Sequence, residues 1–250
     1  YLFIRYRNET PSKEYLDTLL GEVRIPHNGP NQRSPKENGR YENAMIINEY
    51  AWLWLNRDGS TTTLTDKIYE GLLGKSSTRK QRREFYARHL GMLTEYWRCH
   101  RKCAGVLHFC GLAYSRPNEP RGQTSDHFTD IDNLTFEPYF LEYVKPAFSP
   151  VGLMIDQWEI YHQGGENIEV PVYIINDTYA GYTGELSLSL RQNGNTINEN
   201  HADIEVGKTG RTIRDFQVRI PDKTGKYRLV AEITYNGSSV KSIRKIIVEN

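Results

Sequence analysis

The sequence changes character at Pro150, and that change constrains the fold more than any other feature. Beyond it helical periodicity disappears and two-residue alternation takes over: Val170, Val172 and Ile174 alternate with Pro171 and Tyr173, and Leu186, Leu188 and Leu190 with Ser187 and Ser189. Seven segments read as strands: Gly152–Trp158, Asn167–Ile175, Gly184–Arg191, Ile204–Val206, Thr212–Ile220, Lys226–Tyr235 and Lys241–Val248. Turn signals separate them at Gly164-Gly165, Asn193-Gly194-Asn195 and Asn236-Gly237. About 100 residues of short strands predict an immunoglobulin-like antiparallel β-sandwich over 150–250. The Cys…Trp…Cys pattern of antibody domains is absent, and nothing in this half resembles a catalytic motif.

Before Pro150 short apolar runs alternate with helical patterns. Ser12–Leu20 reads as a short helix capped by Ser12, and 21–43 as loop rich in Gly, Pro and Asn. Ala44–Ile47 is a continuous apolar run of the kind found in a strand buried on both faces. Thr63-Leu64-Thr65-Asp66 reads as a capping box before Ile68, Leu72 and Leu73. A longer helix is predicted from Thr78 to Cys103, with Phe85, His89, Met92, Tyr96, Cys99 and Cys103 along its apolar stripe. Gly105–Leu112 reads as a second buried strand, and Phe136–Val144 as a closing helix ending before Pro146. Strand, helices, strand, helix is the rhythm of a parallel α/β unit. The fold class expected is therefore α/β plus all-β, a parallel α/β part over 1–149 followed by the sandwich over 150–250.

Composition enters through what it excludes. With 32 Lys and Arg against 31 Asp and Glu, the formal net charge is +1. That balance removes the electrostatic case for a nucleic-acid or anionic-membrane partner, and no apolar run approaches the roughly 20 residues of a membrane span. Arg79-Lys80-Gln81-Arg82-Arg83 reads as a solvated helix face rather than a nucleic-acid patch. Cys99, Cys103 and Cys110 are an odd count and read as buried thiols rather than a disulfide framework or metal site. Asn-x-Ser/Thr triplets begin at Asn8, Asn133, Asn176 and Asn236, but such triplets arise by chance in Asn-rich sequence.

The chemistry-bearing stretch is Ile46-Ile47-Asn48-Glu49-Tyr50-Ala51-Trp52-Leu53-Trp54. A carboxylate follows a buried strand directly, and aromatics crowd the loop beyond it. In a (β/α)8 barrel the C-terminal ends of the strands carry the active site, so Glu49 would be aimed at the mouth. A carboxylate among flat rings suits a retaining glycosidase, which needs a nucleophile for the anomeric carbon and apolar faces for the sugar. The plainer reading makes Glu49 a solvated strand-end charge, with Trp52 and Trp54 in the core.

This segment resembles the nucleophile strand of the family-two glycoside hydrolases, the group of β-galactosidases, β-glucuronidases and β-mannosidases. The order of the later elements is similar too: a helical region, Gly105–Leu112 as eighth strand, Phe136-Glu137-Pro138-Tyr139-Phe140, then Lys145–Pro150 leading into the sandwich. The resemblance spans roughly Ala44 to Leu190. It implies that 1–149 is a segment of a (β/α)8-type barrel, with Glu49 as nucleophile on the seventh barrel strand and Asn48 and Tyr50 positioning it. Trp52, Trp54 and His108 would shape the sugar pocket, with Tyr114 and Arg116 where the family often carries a Trp. It also implies Tyr1–Arg5 as the end of the sixth strand and an acid/base Glu on the fourth, upstream of this stretch, so that the chain alone is expected to be inactive.

The expected partners are a carbohydrate substrate and the missing N-terminal barrel half or a neighbouring domain; no nucleic acid, membrane, cofactor or metal is called for. The location implied is secreted or periplasmic. Glu22, Glu42, Asp58, Asp126, Asp130 and Asp132 are local carboxylates that loops could bring to the mouth, and Asp126, His127, Asp130 and Asp132 invite a calcium reading that lacks the EF-hand Gly and distal Glu. Two other readings stay open: a non-catalytic carbohydrate-binding module, and a structural domain that docks on a neighbour.

Overall fold

A computed structural model describes residues 46–100, 104–109, 111–112 and 127–249. The helix expected at Ser12–Leu20, the loop at 21–43 and the strand end at Tyr1–Arg5 lie outside these residues. The chain divides into two compact units: 1–93 with 100–144, and 94–99 with 145–250.

In the first unit, strand β1 (Ile46–Tyr50) is followed by helices α1 (Asp66–Leu73) and α2 (Arg79–His100) and by strand β2 (Gly105–His108). The two strands pair in parallel, Ile46 opposite Gly105 and Tyr50 opposite His108, with an irregularity between Asn48 and Tyr50. Ile46 and Leu107 are exposed, so neither strand has the cover on both faces that its apolar run predicts. A short hairpin follows, β3 (Phe128–Asp130) with β4 (Thr135–Phe136). Phe140–Val144 then form a π-helical turn that runs into a short helix α3 (Lys145–Ala147). The closing helix therefore does not end before Pro146. Pro146 is the middle residue of α3 in this continuous stretch, where it has no N–H to donate back to the preceding turn.

The capping box falls elsewhere than expected. Thr65 makes no side-chain cap for α1; its hydroxyl donates to the Trp54 carbonyl at 2.7 Å and accepts from the Thr62 amide at 3.1 Å. The reciprocal pair opens α2 instead: the Thr78 hydroxyl accepts from the Gln81 amide at 3.2 Å, and the Gln81 side chain accepts from the Thr78 amide at 2.8 Å.

The second unit is an antiparallel sandwich of a three-stranded and a five-stranded sheet. Its strands are β5 (Val151–Ile155), β6 (Tyr161–Gln163), β7 (Asn167–Asn176), β8 (Tyr182–Gln192), β9 (Asn195–Val206), β10 (Arg211–Arg219), β11 (Gly225–Tyr235) and β12 (Ser238–Glu249). The sheet orders are β10-β7-β5 and β6-β12-β11-β8-β9. The chain starts in one sheet, crosses with β6 to run parallel to β12, and then alternates between the sheets. All seven expected strands are present; β6 is an eighth, too short for alternation to show. Leu186, Leu188 and Leu190 of β8 and Val170, Val172 and Ile174 of β7 point into one buried core. The hairpins β8–β9 and β11–β12 close on Asn193-Gly194 and Asn236-Gly237, all four with positive φ, the two-residue turn whose twist matches that of the strands.

The sandwich unit also holds the 94–99 turns of α2. Tyr96 and Cys99 pack on Met154 and Ile175, which β5 and β7 turn away from the sandwich core. This covers β5 on both sides, so all five of its residues are buried. Glu95, 4% exposed, reaches Arg244 of β12, 3% exposed, with Nη2 to Oε2 at 2.8 Å. The Ser242 hydroxyl donates to the same oxygen at 2.8 Å and accepts from the Ile155 amide at 3.0 Å, while the Arg244 guanidinium lies 4.7 Å over the Trp158 ring. Burial pushes the Glu95 carboxyl up, against the pull of Arg244 and the Ser242 hydroxyl. Arg98 donates to the carbonyls of Ala147 and Ser149 and to the Asp177 carboxylate.

Candidate functional site

The site indicated by the sequence is built on the C-terminal ends of β1 and β2. Glu49 occupies the irregularity of the parallel pair, between Asn48 opposite Leu107 and Tyr50 opposite His108. Its side chain lies outside the described residues, so its separation from other carboxylates does too. Asn48 is exposed, and Tyr50 and His108 are half-buried on adjacent strand ends. Parallel pairing thus brings three of the expected residues to one end of one sheet.

The backbone turns sharply after Tyr50. Ala51 adopts φ 57°, unusual for a residue with a Cβ. The Leu53 amide then donates to the Ala51 carbonyl at 2.7 Å, a three-residue turn about Trp52. Helix α1 holds the segment from behind, with the Tyr69 hydroxyl donating to the Leu53 carbonyl at 2.6 Å and Thr65 to Trp54. The rings of Trp52 and Trp54 stand 5.2 Å apart, and Trp54 packs 5.1 Å from Phe109. Trp54 is buried, at 8% exposure, and belongs to the core of this unit. Trp52 is half-buried.

The loop beyond is braced by the basic run, which is more than a solvated face. Arg82 Nε donates to the Gly59 carbonyl at 3.1 Å, and its Nη1 to the Ser77 carbonyl. Arg83 donates to the Arg57 carbonyl, and Arg79 pairs with Asp58 at 3.1 Å. Cations in the first turn of a helix oppose its dipole; here these arginines satisfy the carbonyls of the turn. Sequence periodicity could not show this, because the partners Arg57, Asp58 and Gly59 lie more than twenty residues upstream. Asp58 is thereby committed to Arg79 and to the Ser60 amide at 2.8 Å.

His108 adjoins a ring cluster. His127 lies 5.5 Å from His108, 5.0 Å from Tyr86 and 4.6 Å from Phe140. At 2% exposure, desolvation pushes its imidazole down to about 3, helped by His108 and Arg83. Its Nε2 has no hydrogen-bond partner among the described residues. His108 is lowered by desolvation as well, so both rings are neutral near pH 7. Glu137 is buried and its carboxyl is raised by desolvation; it accepts from the Tyr139 amide at 3.0 Å. His127 and Glu137 are not among the expected sugar-site residues. The signal available is the apolar spacing of Phe128, Phe136 and Phe140 around them.

Tyr114, Arg116, Asp126, Glu22 and Glu42 lie outside the described residues. The Asp130 carboxylate is spent on its own turn, accepting from the Asn133 amide at 3.0 Å and side chain at 2.7 Å, and Asp132 is exposed. Among the described residues no three His, Cys, Asp or Glu side chains are grouped to hold a metal ion. Cys99 is fully buried, and desolvation pushes its thiol up to about 12, which leaves it inert; Cys103 and Cys110 lie outside the described residues. Asn176 is buried and donates to the Ala180 and Gly207 carbonyls at 2.7 and 3.0 Å.

No family model matches the chain, and no curated protein matches it. Among solved structures, the CARDB domain of a Pyrococcus furiosus protein matches at 15% identity and a TM-score of 0.32, over 40% of this chain and 94% of that one. A family 123 glycoside hydrolase from Clostridium perfringens matches at 14% identity and 0.30, over 37% of this chain and 23% of the enzyme. A β-glucosidase from Listeria innocua matches at 10% identity and 0.34, over 41% and 16%.

Proposed function

We propose that the chain is the C-terminal part of a retaining glycoside hydrolase, with Glu49 as nucleophile. In this reading β1 and β2 are neighbouring strands of a (β/α)8 barrel, over 1–149, and 150–250 is an immunoglobulin-like sandwich that follows it in the chain. The observation that carries the reading is the parallel pairing of β1 and β2 across a helical crossover. That pairing puts Glu49 and His108 at the strand ends where barrel enzymes place their chemistry.

Each residue then has a task. Asn48 and Tyr50 flank and orient the nucleophile, and Trp52 offers a ring face to the sugar. Trp54 backs Trp52 from the core. Neutral His108 donates to or accepts from sugar hydroxyls without adding charge, and Tyr114 and Arg116 extend the pocket. Glu49 attacks the anomeric carbon, the glycosidic bond breaks, and a second carboxyl protonates the leaving oxygen. Water then cleaves the glycosyl-enzyme, and the same carboxyl takes the proton. The two groups must stand about 5–5.5 Å apart. That second carboxylate and the remaining barrel strands come from outside this stretch, and the enzyme acts on carbohydrate outside the cytoplasm, in the periplasm or the medium. No cofactor enters such a mechanism.

The test is covalent. A 2-deoxy-2-fluoro glycoside given to the full-length parent should leave its sugar on the peptide carrying Glu49. Glu49→Gln should lower turnover by about a thousand-fold or more. Normal turnover by that variant, or a label on another peptide, overturns the assignment.

A further inference from the structure

His127 carries a polar atom that its surroundings do not use. The residue stands directly before β3, where its backbone amide donates to the Gly111 carbonyl at 3.4 Å and its carbonyl accepts from the Glu137 amide at 2.8 Å. These bonds hold the ring, 2% exposed, against Tyr86 at 5.0 Å and Phe140 at 4.6 Å. Its Nε2 is buried with no hydrogen-bond partner among the described residues, so the hydration it loses goes uncompensated. A phenyl ring would fill this apolar place without that cost, and a buried polar atom left unmatched calls for a reason. The imidazole of His108, at the end of β2, has its centroid 5.5 Å away and is tilted by 58°; its Nε2 is buried too. At such a separation a small rotation brings two imidazoles into a nitrogen–nitrogen hydrogen bond, and bonds of this kind often tighten only when substrate fills a site. Buried N–H groups are left orphaned more rarely than buried acceptors, which makes Nε2 of His127 the lone pair and its Nδ1 the protonated nitrogen.

We propose that His127 is a positioning residue for His108, its Nε2 lone pair accepting a hydrogen bond from the N–H of His108 Nε2. That bond fixes the orientation and the tautomer of the His108 ring and leaves its Nδ1 as an acceptor. His108 then meets a substrate hydroxyl as acceptor and not as donor. A sugar that offers a hydroxyl at that place is preferred to one carrying fluorine or hydrogen there, because neither substituent can donate. That the hydroxyl belongs to a sugar rests on the hydrolase reading; the pairing of the two rings does not.

The pairing is tested by NMR on the 250-residue protein labelled with nitrogen-15 histidine, whose imidazole nitrogen shifts report the tautomer. His108 should carry its proton on Nε2 alone in the wild type and become a mixture of tautomers in His127→Phe, while the melting temperature of that variant holds or rises. A wild-type His108 protonated on Nδ1, or His108 shifts unchanged in His127→Phe, overturns the pairing. The substrate arm uses the full-length parent. There His127→Phe should raise KM about tenfold with kcat nearly unchanged, and adding it to His108→Ala should cost nothing further, as residues acting as a unit require. A wild-type KM in His127→Phe, or penalties that multiply in the double variant, overturns the role in binding. Turnover of Glu49→Gln decides the hydrolase reading by itself, and normal turnover there would leave the tautomer result standing, so the two proposals fail separately.

Discussion

Replacing Glu95 with Ala should unfold the sandwich unit far more readily than its contact area suggests. The substitution leaves the Arg244 guanidinium, 3% exposed, without its counter-ion. It also removes the acceptor of the Ser242 hydroxyl. Breaking a buried pair from one side costs about 3–5 kcal/mol, because the remaining charge is still out of water. The pair itself is worth much less, since burial already opposes ionisation of Glu95. The double replacement Glu95→Leu with Arg244→Met should therefore lie within about 1–2 kcal/mol of the parent, recovering most of what either single change loses. Urea unfolding followed by circular dichroism and by tryptophan emission measures both, with Trp158 beneath the guanidinium as local reporter. Two results would refute the reasoning: a Glu95→Ala cost below about 1 kcal/mol, or a double replacement costing the sum of the singles.

The first unit offers two further tests. Gly91→Ala in α2 gains about 1 kcal/mol of helix propensity, yet its Cβ would stand 2.7 Å from the Tyr143 carbonyl oxygen, so the melting temperature should fall, and a rise would show that the π-helical turn yields. His127 is held neutral, with its imidazole lowered from 6.5 to about 3; unfolding restores the higher affinity for protons, so its contribution is complete above about pH 6.5 and is lost as pH falls towards 3. The loss reaches about 5 kcal/mol at most, and His127→Phe should flatten the acid limb of a stability–pH curve, whereas an unchanged limb would place the acid sensitivity elsewhere.

Much of the sandwich is legible in the sequence because each strand has a period of two and each tight hairpin an Asn-Gly pair. β6 is not, since three residues with one buried His162 show no period. The packing of 94–99 leaves a trace: Met154 and Ile175 are apolar where alternation calls for polar side chains, as a sheet covered on both faces demands. Glu95 gives no sign at all, because its partner lies 149 residues away and a charged residue on a helix reads as solvated. By motif the capping box belongs at Thr63, whereas the fold uses Thr78 and Gln81. Thr65, the residue before α1, spends its hydroxyl on the Trp54 carbonyl and makes no side-chain cap. At the candidate site, the apolar run and Asn48-Glu49-Tyr50 mark the strand and its end. The left-handed Ala51 and the arginine brace on the turn beyond come only with the fold.

The Glu95–Arg244 pair also sets an order of events during synthesis. Residues 94–99 leave the ribosome about 50 residues before the sheet they cover begins, and at 5–20 residues per second Arg244 follows Glu95 by roughly 7–30 s. Until β5 and β7 follow, Tyr96 and Cys99 have nothing to cover, and until Arg244 follows, the first seven strands of the sandwich have no β12. The last strand closes the sheet and neutralises the buried carboxylate in a single step. A ribosome stalled short of Arg244 would therefore hold a nascent chain that proteases cut readily, and emergence of β12 would make it resistant.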